Sequence, residues 1–240
     1  MHLPEPALAA DPVVQRRRDR ARLLRAFNAS LCAVLLLAAV YSAQGMFDVA
    51  AWAVTPRAFA GLRGVLFAPL LHGSAAHLAA NAAAVLLLGT LAGCVYPRAT
   101  LRALPLLWLG AGLGAWMLGA PGTHHLGASG VNHGLAFLVF TLAVLRRDRA
   151  AIAAAMLAFA FFGGMLLSVL PQAPDVSWES HLGGALAGVL AGWWLRATDP
   201  ALPRHRYSWE LEENGAPDDA THEVAHHDAE RGLNEKRISA

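Results

Sequence analysis

Nine polar or ionisable side chains lie inside long apolar stretches of this 240-residue sequence, or directly beside them. Such side chains are costly within a lipid bilayer, so each one in a membrane segment is a functional hypothesis. They are His77 and Asn81 in one stretch, Ser129, Asn132 and His133 in a second, His181 in a third, and His72, His124 and His125 just outside. Their residue types predict one chemical site.

Acyl transfer is the chemistry that these residue types serve. A serine hydroxyl becomes nucleophilic when a neighbouring base removes its proton, and histidine does this at neutral pH. We therefore predict Ser129 as the nucleophile and His181 as its base. The tetrahedral intermediate needs donors for its oxyanion. Ser129 opens a predicted helix, where backbone N–H groups are unpaired and the dipole favours negative charge. His77 and Asn81 are four residues apart and share a helix face.

Glycines flank both halves of this predicted dyad. Gly127 and Gly130 stand beside the serine, and Gly184 and Gly188 follow the histidine at helical spacing. Small residues let two membrane helices approach closely. A pair of glycines four residues apart indicates packing more often than catalysis. Its position after the histidine indicates that it presses the histidine helix against the serine helix.

The composition predicts an all-α polytopic membrane protein. Hydrophobic residues make up 56% of the chain and charged residues 15%, whereas a soluble domain carries about 25% charged residues. The apolar runs are near the ~20 residues that cross a bilayer as a helix. The six predicted spans are residues 28–48, 75–95, 101–119, 127–145, 150–170 and 181–197.

Arginines predict the orientation of these spans. They crowd into the N-terminal segment and into the breaks after spans two, four and six, so that side is predicted to be cytoplasmic. The arginines concerned are Arg16, Arg17, Arg18, Arg20, Arg22, Arg25, Arg98, Arg102, Arg146, Arg147, Arg149, Arg196, Arg204 and Arg206. With this orientation, the polar side chains named above lie at the non-cytoplasmic ends of their helices, at a similar depth below that membrane surface. The segment 49–74, with Arg57 and Arg63, is the exception and is predicted to be re-entrant or interfacial.

The chain is predicted to have three regions. Residues 1–27 form a basic cytoplasmic segment, 28–197 a six-helix membrane domain, and 198–240 a polar, disordered cytoplasmic tail. The basic start predicts a retained first helix and not a cleavable signal peptide. We expect an integral, multi-pass protein of a bacterial inner membrane, with both termini cytoplasmic.

Neither a metal nor a cofactor is predicted. Cys32 and Cys94 have no metal-site spacing, and we interpret the tail histidines as a solvated tract; these are His222, His226 and His227. The arginine run at 16–25 is interpreted as a topology signal that contacts anionic lipid. The predicted partners are therefore the lipid bilayer and membrane proteins, and no nucleic acid.

At this point the residues resemble the rhomboid family of intramembrane proteases. Order and spacing are similar to its second-helix motif (His72, His77 and Asn81), its nucleophile motif (Gly127 to Gly130) and its sixth-helix motif (His181, Gly184 and Gly188). The resemblance covers roughly residues 28–197. It implies a six-transmembrane-helix rhomboid-like bundle, a Ser–His dyad without an acidic third member, and single-span membrane substrates cut near their outer ends. The predicted oxyanion and substrate site comprises His72, His77, Asn81, Gly127 and His133.

Two positions depart from the family pattern. The family often has a Trp-Arg pair in the loop after the first helix, where this chain reads Leu62-Arg63-Gly64. An aromatic residue, often tyrosine, commonly stands four residues after the nucleophile and packs on the dyad histidine. That position is His133 here, and we expect it near Ser129 and against His181. Some rhomboids devoted to carboxy-terminal sorting signals carry a histidine near this place, so that subclass stays open.

Other interpretations stay open beside the protease. His72 is either a wall of the substrate site or a structural loop histidine, and His77 and Asn81 could instead join helices by hydrogen bonds. His124 and His125 are interpreted as hydrated loop residues. The chief rival is a catalytically silent rhomboid-like protein that binds or escorts membrane clients. A transporter or channel would need polar residues that continue to the cytoplasmic helix ends, and these are missing from the sequence.

Substrate is predicted to enter sideways from the lipid, past span five. Its Gly163-Gly164 pair is a soft point for helix tilting, although glycine pairs also serve close packing. The loop 171–180, with Pro171 and Pro174, is predicted to act as a lid. The oligomeric state and the identity of the substrate do not follow from the sequence.

Overall fold

The computed structural model describes residues 12–147, 149–171 and 176–199. They belong to one compact unit that extends to Ala201. The second unit, Leu202–Ala240, lies outside the described residues, and with it most of the predicted tail and its three histidines. Within the described ranges the regular structure is helical, apart from an isolated antiparallel bridge between Val54 and His125.

Within the described residues eight α-helices carry the fold, and six of them overlap the six predicted spans. The long helices are α1 (Pro12–Ala43), α4 (Ala75–Val95), α5 (Pro97–Leu118), α6 (Ser129–Arg146), α7 (Arg149–Leu166) and α8 (Trp178–Leu195), and the short ones are α2 (Val49–Trp52) and α3 (Leu62–Phe67). Turns of 3₁₀ helix at Gln44–Met46, Phe59–Gly61, Ala68–Leu70 and Leu167–Val169 complete the set.

Four of these segments are long and apolar enough to cross a bilayer. They are Val13–Met46, Ala75–Val95, Pro97–Leu118 and Ser129–Arg146. Helices α7 and α8 have 18 residues each, and Ile152–Phe161 within α7 is a shorter apolar helix. The chain therefore has the helices of a membrane protein.

The first helix begins earlier than predicted. It starts at Pro12, whereas the sequence placed a separate basic segment at 1–27 and the first span at 28. Residues 12–27 are rich in arginine, alanine and leucine, which are strong helix formers. Hydropathy marks only the apolar part of such a helix. The arginines at 16–25 therefore lie within α1.

Close backbone contacts join α6 to α8 at the centre of the bundle. A Cβ added to Gly184 would overlap the Gly130 carbonyl oxygen, and one added to Gly188 would overlap the Gly134 carbonyl oxygen. Neither site tolerates a larger residue without separating the helices. The glycines after the histidine thus press its helix onto the serine helix, as the sequence predicted. Buried leucines fill the core beside them, namely Leu88, Leu107, Leu138 and Leu142.

Asp199 joins three helix ends at the opposite end of the bundle from Ser129. Its carboxylate accepts hydrogen bonds from the backbone N–H groups of Arg98 and Ala99 in the first turn of α5, where a negative charge is favoured. The Arg146 side chain, at the end of α6, donates to the Asp199 carbonyl. The predicted boundary at 198 therefore falls too early, because Asp199 is buried against the membrane domain.

The segment between α1 and α4 packs on α5. The indole N–H of Trp108 donates to the Leu66 carbonyl, and that of Trp116 donates to the Ala58 carbonyl. Gln44 clamps the far end of this segment, because its side-chain amide both donates to and accepts from the backbone of His72, each at 2.8 Å. The loop that precedes α4 is thereby fixed to the end of α1.

Candidate active site

Ser129 and His181 form a direct hydrogen bond. Ser129 is the first residue of α6 and His181 lies in the first turn of α8. The distance from the Ser129 Oγ to the His181 Nε2 is 2.8 Å. The contact needs the two helices close together at this end, and the Gly130–Gly184 approach supplies that closeness. A nucleophile and a base within such reach can perform covalent catalysis.

Gly127 gives the turn before Ser129 its shape. Its φ is +113°, a conformation that other residues rarely adopt. A Cβ at this position would lie 2.6 Å from the His77 Cε1 and 2.8 Å from its Nε2. Only glycine therefore allows the His77 ring to lie against the turn that precedes the serine.

The start of α4 fixes His77. Ser74 is the N-cap residue of this helix, and its Oγ accepts a hydrogen bond from the His77 backbone N–H at 3.1 Å. This capping contact is the usual one for serine at a helix start. It fixes His77 in the first turn of α4, beside Gly127.

Asn81 lies one turn further along α4. Its side-chain amide donates to the His77 carbonyl at 2.9 Å, and its Oδ1 accepts from the Asn132 side chain at 3.1 Å. Asn132 is fully buried on α6. The sequence singled out Asn132 as a polar membrane residue without a role, and in the structure it orients Asn81.

A cavity of about 1100 Å³ opens over these residues. Ser129, His181, His77, Asn81 and His133 all line it. The volume is slightly above that of typical ligand pockets, which is about 300–1,000 Å³.

His72 does not line this cavity. Its side chain is fully buried and meets the His77 ring edge to face, with centroids 5.1 Å apart. Neither ring nitrogen makes a hydrogen bond to the described residues. Of the two interpretations that the sequence left open, the geometry favours the structural histidine over the substrate-site wall.

His133 lies against the dyad, one helical turn after Ser129. Its Nδ1 is 2.7 Å from the Ser129 carbonyl oxygen, and its Nε2 is 3.0 Å from the Ser168 Oγ. Ser168 lies in the 3₁₀ turn after α7 and contacts His181 as well. Sequence reasoning missed Ser168, because a serine at the end of an apolar helix has no spacing pattern that points to a site.

His125 is not the hydrated loop residue that the sequence suggested. Its backbone pairs with Val54, with both N···O distances 2.9 Å. Its Nδ1 lies 2.6 Å from the Ser177 Oγ and 3.9 Å from a Glu179 carboxylate oxygen. Burial lowers the pKa of His125, while Glu179 opposes that shift. His125 therefore links the loop before α6 to the start of α8, whereas His124 is exposed.

A tryptophan–arginine contact exists although the expected dipeptide is missing. The Arg63 guanidinium lies over the Trp52 ring, 5.6 Å from its centroid, and its Nε donates to the Ala51 carbonyl. The tryptophan comes from α2, eleven residues before the arginine. The two residues are not adjacent in the sequence, so a dipeptide motif does not reveal this pair.

Comparison with known families decides the identity of the fold. The model of the family described as "Rhomboid domain" matches residues 59–198, which is more than half of the chain. The chain belongs to the rhomboid family. This match includes every residue of the candidate site.

Relatives of this rhomboid chain occur in mycobacteria. Proteins named only as uncharacterised from Mycobacterium tuberculosis (strain H37Rv) and Mycobacterium bovis are each 39% identical over 148 residues, 58% of this chain and 61% of theirs. One from Mycobacterium leprae is 37% identical over 147 residues, 58% of each chain. The chain thus spans about 60% of the length of these relatives. No solved structure matches it.

The rhomboid site has the parts that acyl transfer requires. A hydroxyl faces an imidazole nitrogen, a helix N-terminus begins at the hydroxyl-bearing residue, and polar side chains of α4 lie across the cavity. The described residues contain no cluster of three or more His, Cys, Asp or Glu side chains able to hold a metal ion.

Proposed function

We propose that this chain is an intramembrane serine endopeptidase that cleaves transmembrane-helix substrates near their outer ends. The hydrogen bond between the Ser129 Oγ and the His181 Nε2, 2.8 Å long, carries the proposal. It lies in a cavity formed by apolar helices of a rhomboid domain. The chain has both residues that a catalytically silent relative would be expected to lack.

The proposed reaction begins with transfer of the Ser129 hydroxyl proton to the His181 Nε2. The serine oxygen attacks the peptide carbonyl, and the oxyanion is held by the Ser129 backbone N–H, His77 and Asn81. Asn81 has two amide hydrogens, and its contact with the His77 carbonyl uses one of them. His181 then gives its proton to the leaving amine, and water releases the acyl product by the same steps in reverse.

The proposed membrane arrangement has six spans, α1 and α4 to α8. The ends of α6 and α8 and the start of α5 meet at Asp199, and these are the ends next to the arginine-containing breaks. By the positive-inside rule this end is cytoplasmic, and the dyad lies towards the opposite surface. The mycobacterial relatives support a bacterial inner membrane. The substrates are single-span proteins that enter from the lipid.

The test expresses the chain with a panel of tagged single-span membrane proteins. Wild type is expected to yield shortened products, and Ser129→Ala and His181→Ala are each expected to lose at least about 1000-fold in rate, because the two residues act as a unit. Ser42→Ala is the control, since Ser42 only bonds back to the Ala38 carbonyl of its own helix. A serine-reactive fluorophosphonate should label wild type and not Ser129→Ala.

Two outcomes would decide against the protease. Undiminished cleavage by Ser129→Ala would show that another protein makes the cut. Equal capture of a client by wild type and Ser129→Ala, with neither cleavage nor labelling, would favour the silent escort instead.

A further inference from the structure

Ser168 contacts both histidines of the site. Its Oγ lies 3.1 Å from the His181 Nδ1 and 3.0 Å from the His133 Nε2. Its backbone carbonyl oxygen lies 3.0 Å from the same His181 Nδ1. Ser168, in the turn Leu167–Val169, thus contacts the ring edge of His181 that points away from Ser129.

The carbonyl contacts determine where the protons lie on two neutral imidazoles. A carbonyl oxygen only accepts hydrogen bonds, so the His181 Nδ1 donates to the Ser168 carbonyl and its Nε2 carries the free lone pair. That lone pair faces the Ser129 hydroxyl at 2.8 Å. This is the tautomer that a general base needs.

The same reasoning applies to His133. Its Nδ1 lies 2.7 Å from the Ser129 carbonyl oxygen, so the Nδ1 donates and the Nε2 of the neutral ring accepts. The Ser168 hydroxyl is then the donor to the His133 Nε2, at 3.0 Å. Hydrogen bonds with mutually consistent directions thus join Ser129, His181, Ser168 and His133.

We propose that the Ser168 hydroxyl makes this residue a positioning residue, because it connects His181 to His133 and steadies the ring whose tautomer the backbone carbonyl sets. This inference rests on the proposed protease function and adds the Ser168 hydroxyl to the proposed active site. Dyad enzymes lack the carboxylate that orients the histidine in a triad. Here a carbonyl and a hydroxyl from a third helix take that place. They orient the ring without bringing a negative charge into the membrane domain, where it would be costly.

Ser168→Ala and Ser168→Thr are the matched test variants. Alanine keeps the backbone carbonyl and removes the hydroxyl, whereas threonine keeps both. The rate of fluorophosphonate labelling at Ser129 measures nucleophile activation without a helix substrate, and cleavage of a membrane substrate gives kcat and KM separately. Ser42→Ala again controls for loss of a serine hydroxyl, and thermal unfolding in detergent checks that each variant folds.

Ser168→Ala is expected to reduce the labelling rate and kcat about 5- to 10-fold, the usual effect of one hydrogen bond. KM should stay unchanged, and Ser168→Thr should stay within about twofold of wild type. Because the hydroxyl acts with His133, adding Ser168→Ala to His133→Phe should cost less than Ser168→Ala costs alone.

Three results would overturn the inference. They are wild-type labelling and kcat in Ser168→Ala, equal losses in the alanine and threonine variants, or full additivity with His133→Phe. Each of these leaves the protease function standing, because wild type is still labelled and Ser129→Ala is not. Absence of labelling and cleavage in wild type would instead refute the proposed function itself.

Discussion

The imidazole rings of His133 and His181 stack, with centroids 4.0 Å apart and planes inclined by 13°. His133 stands where the family commonly has an aromatic residue. A flat ring therefore still covers the dyad histidine, but this ring can take up a proton. Two imidazoles so close cannot both be charged at low cost.

Replacement of His133 should separate its packing from its charge. His133→Tyr keeps a flat ring against His181 and removes the ionisable group, so we expect it to remain active with a simpler, broader pH profile. His133→Ala should lose more activity, because the dyad histidine loses its stacking partner. Wild-type activity should decline at acidic pH, where histidine takes up protons. The measurement is cleavage rate from pH 4 to 8.

The control for this comparison is Phe140→Tyr, at an exposed residue of α6 that does not line the cavity. It should keep the wild-type profile. Wild-type behaviour of both the Ala and the Tyr variant of His133 at every pH would mean that the stack has no part in catalysis.

Loss of either α4 side chain should slow turnover without abolishing it. His77→Ala and Asn81→Ala each remove one proposed oxyanion donor, which typically costs about 100- to 1000-fold in kcat while the other donors remain. Labelling by a small fluorophosphonate and cleavage of a helix substrate should fall together. If both variants cleave at the wild-type rate, these residues only join helices and the oxyanion site lies elsewhere.

Much of this architecture was accessible from the sequence, because long apolar runs and intramembrane polar residues are local signals. All six predicted spans overlap helices, and the Ser129–His181 pair meets. Contacts between distant residues of ordinary type were not accessible. Ser168 is 13 residues from His181, and nothing in an apolar segment marks that serine.

Polar contacts between loop residues could not be predicted from the sequence either. Trp52 and Arg63 meet only after α2 folds onto α3. His125 becomes structural through a backbone pairing with Val54, a partner 71 residues away that no periodicity indicates. Such pairs depend on the tertiary arrangement.

Restricting α7 should slow entry of membrane substrates. The nearest atoms to a Cβ added at Gly163 belong to Phe159 of the same helix, and one at Gly164 would meet nothing within 4 Å among the described residues. Among the described residues no neighbouring helix packs closely on this pair, and the soft point stays a prediction. Of the predicted lid, residues 172–175 lie outside the described residues, while Pro171 lines the cavity.

The measurement uses a disulfide between cysteines introduced on α7 and α4, which pack against each other. Cleavage of an embedded substrate should fall at least about tenfold on oxidation and recover on reduction, since gating motions often limit turnover. Labelling by the small fluorophosphonate should change little. A disulfide between α5 and α8 is the control. Equal cleavage before and after oxidation of the α7–α4 pair would exclude this route.

The last prediction concerns the stability of the fold at low pH. Burial, together with the neighbouring His77, lowers the pKa of His72 from 6.5 to about 4. The unfolded chain then binds a proton near pH 6.5 that the folded chain does not take up until about pH 4. The contribution of His72 to stability is therefore complete above pH 6.5, falls as the pH drops from 6.5 to about 4, and levels off below that.

His72→Phe keeps a buried ring, removes the ionisable group and leaves no ring nitrogen unpaired. We expect this variant to unfold at the wild-type temperature or higher at pH 7, because an unpaired buried polar group is itself costly. Its melting temperature should also decline less between pH 6.5 and pH 4.5 than that of the wild type, by thermal unfolding in detergent. His124→Phe is the matched control for loss of a histidine, at a residue that is exposed. The same steep decline in His72→Phe would show that another group causes the loss of stability in acid.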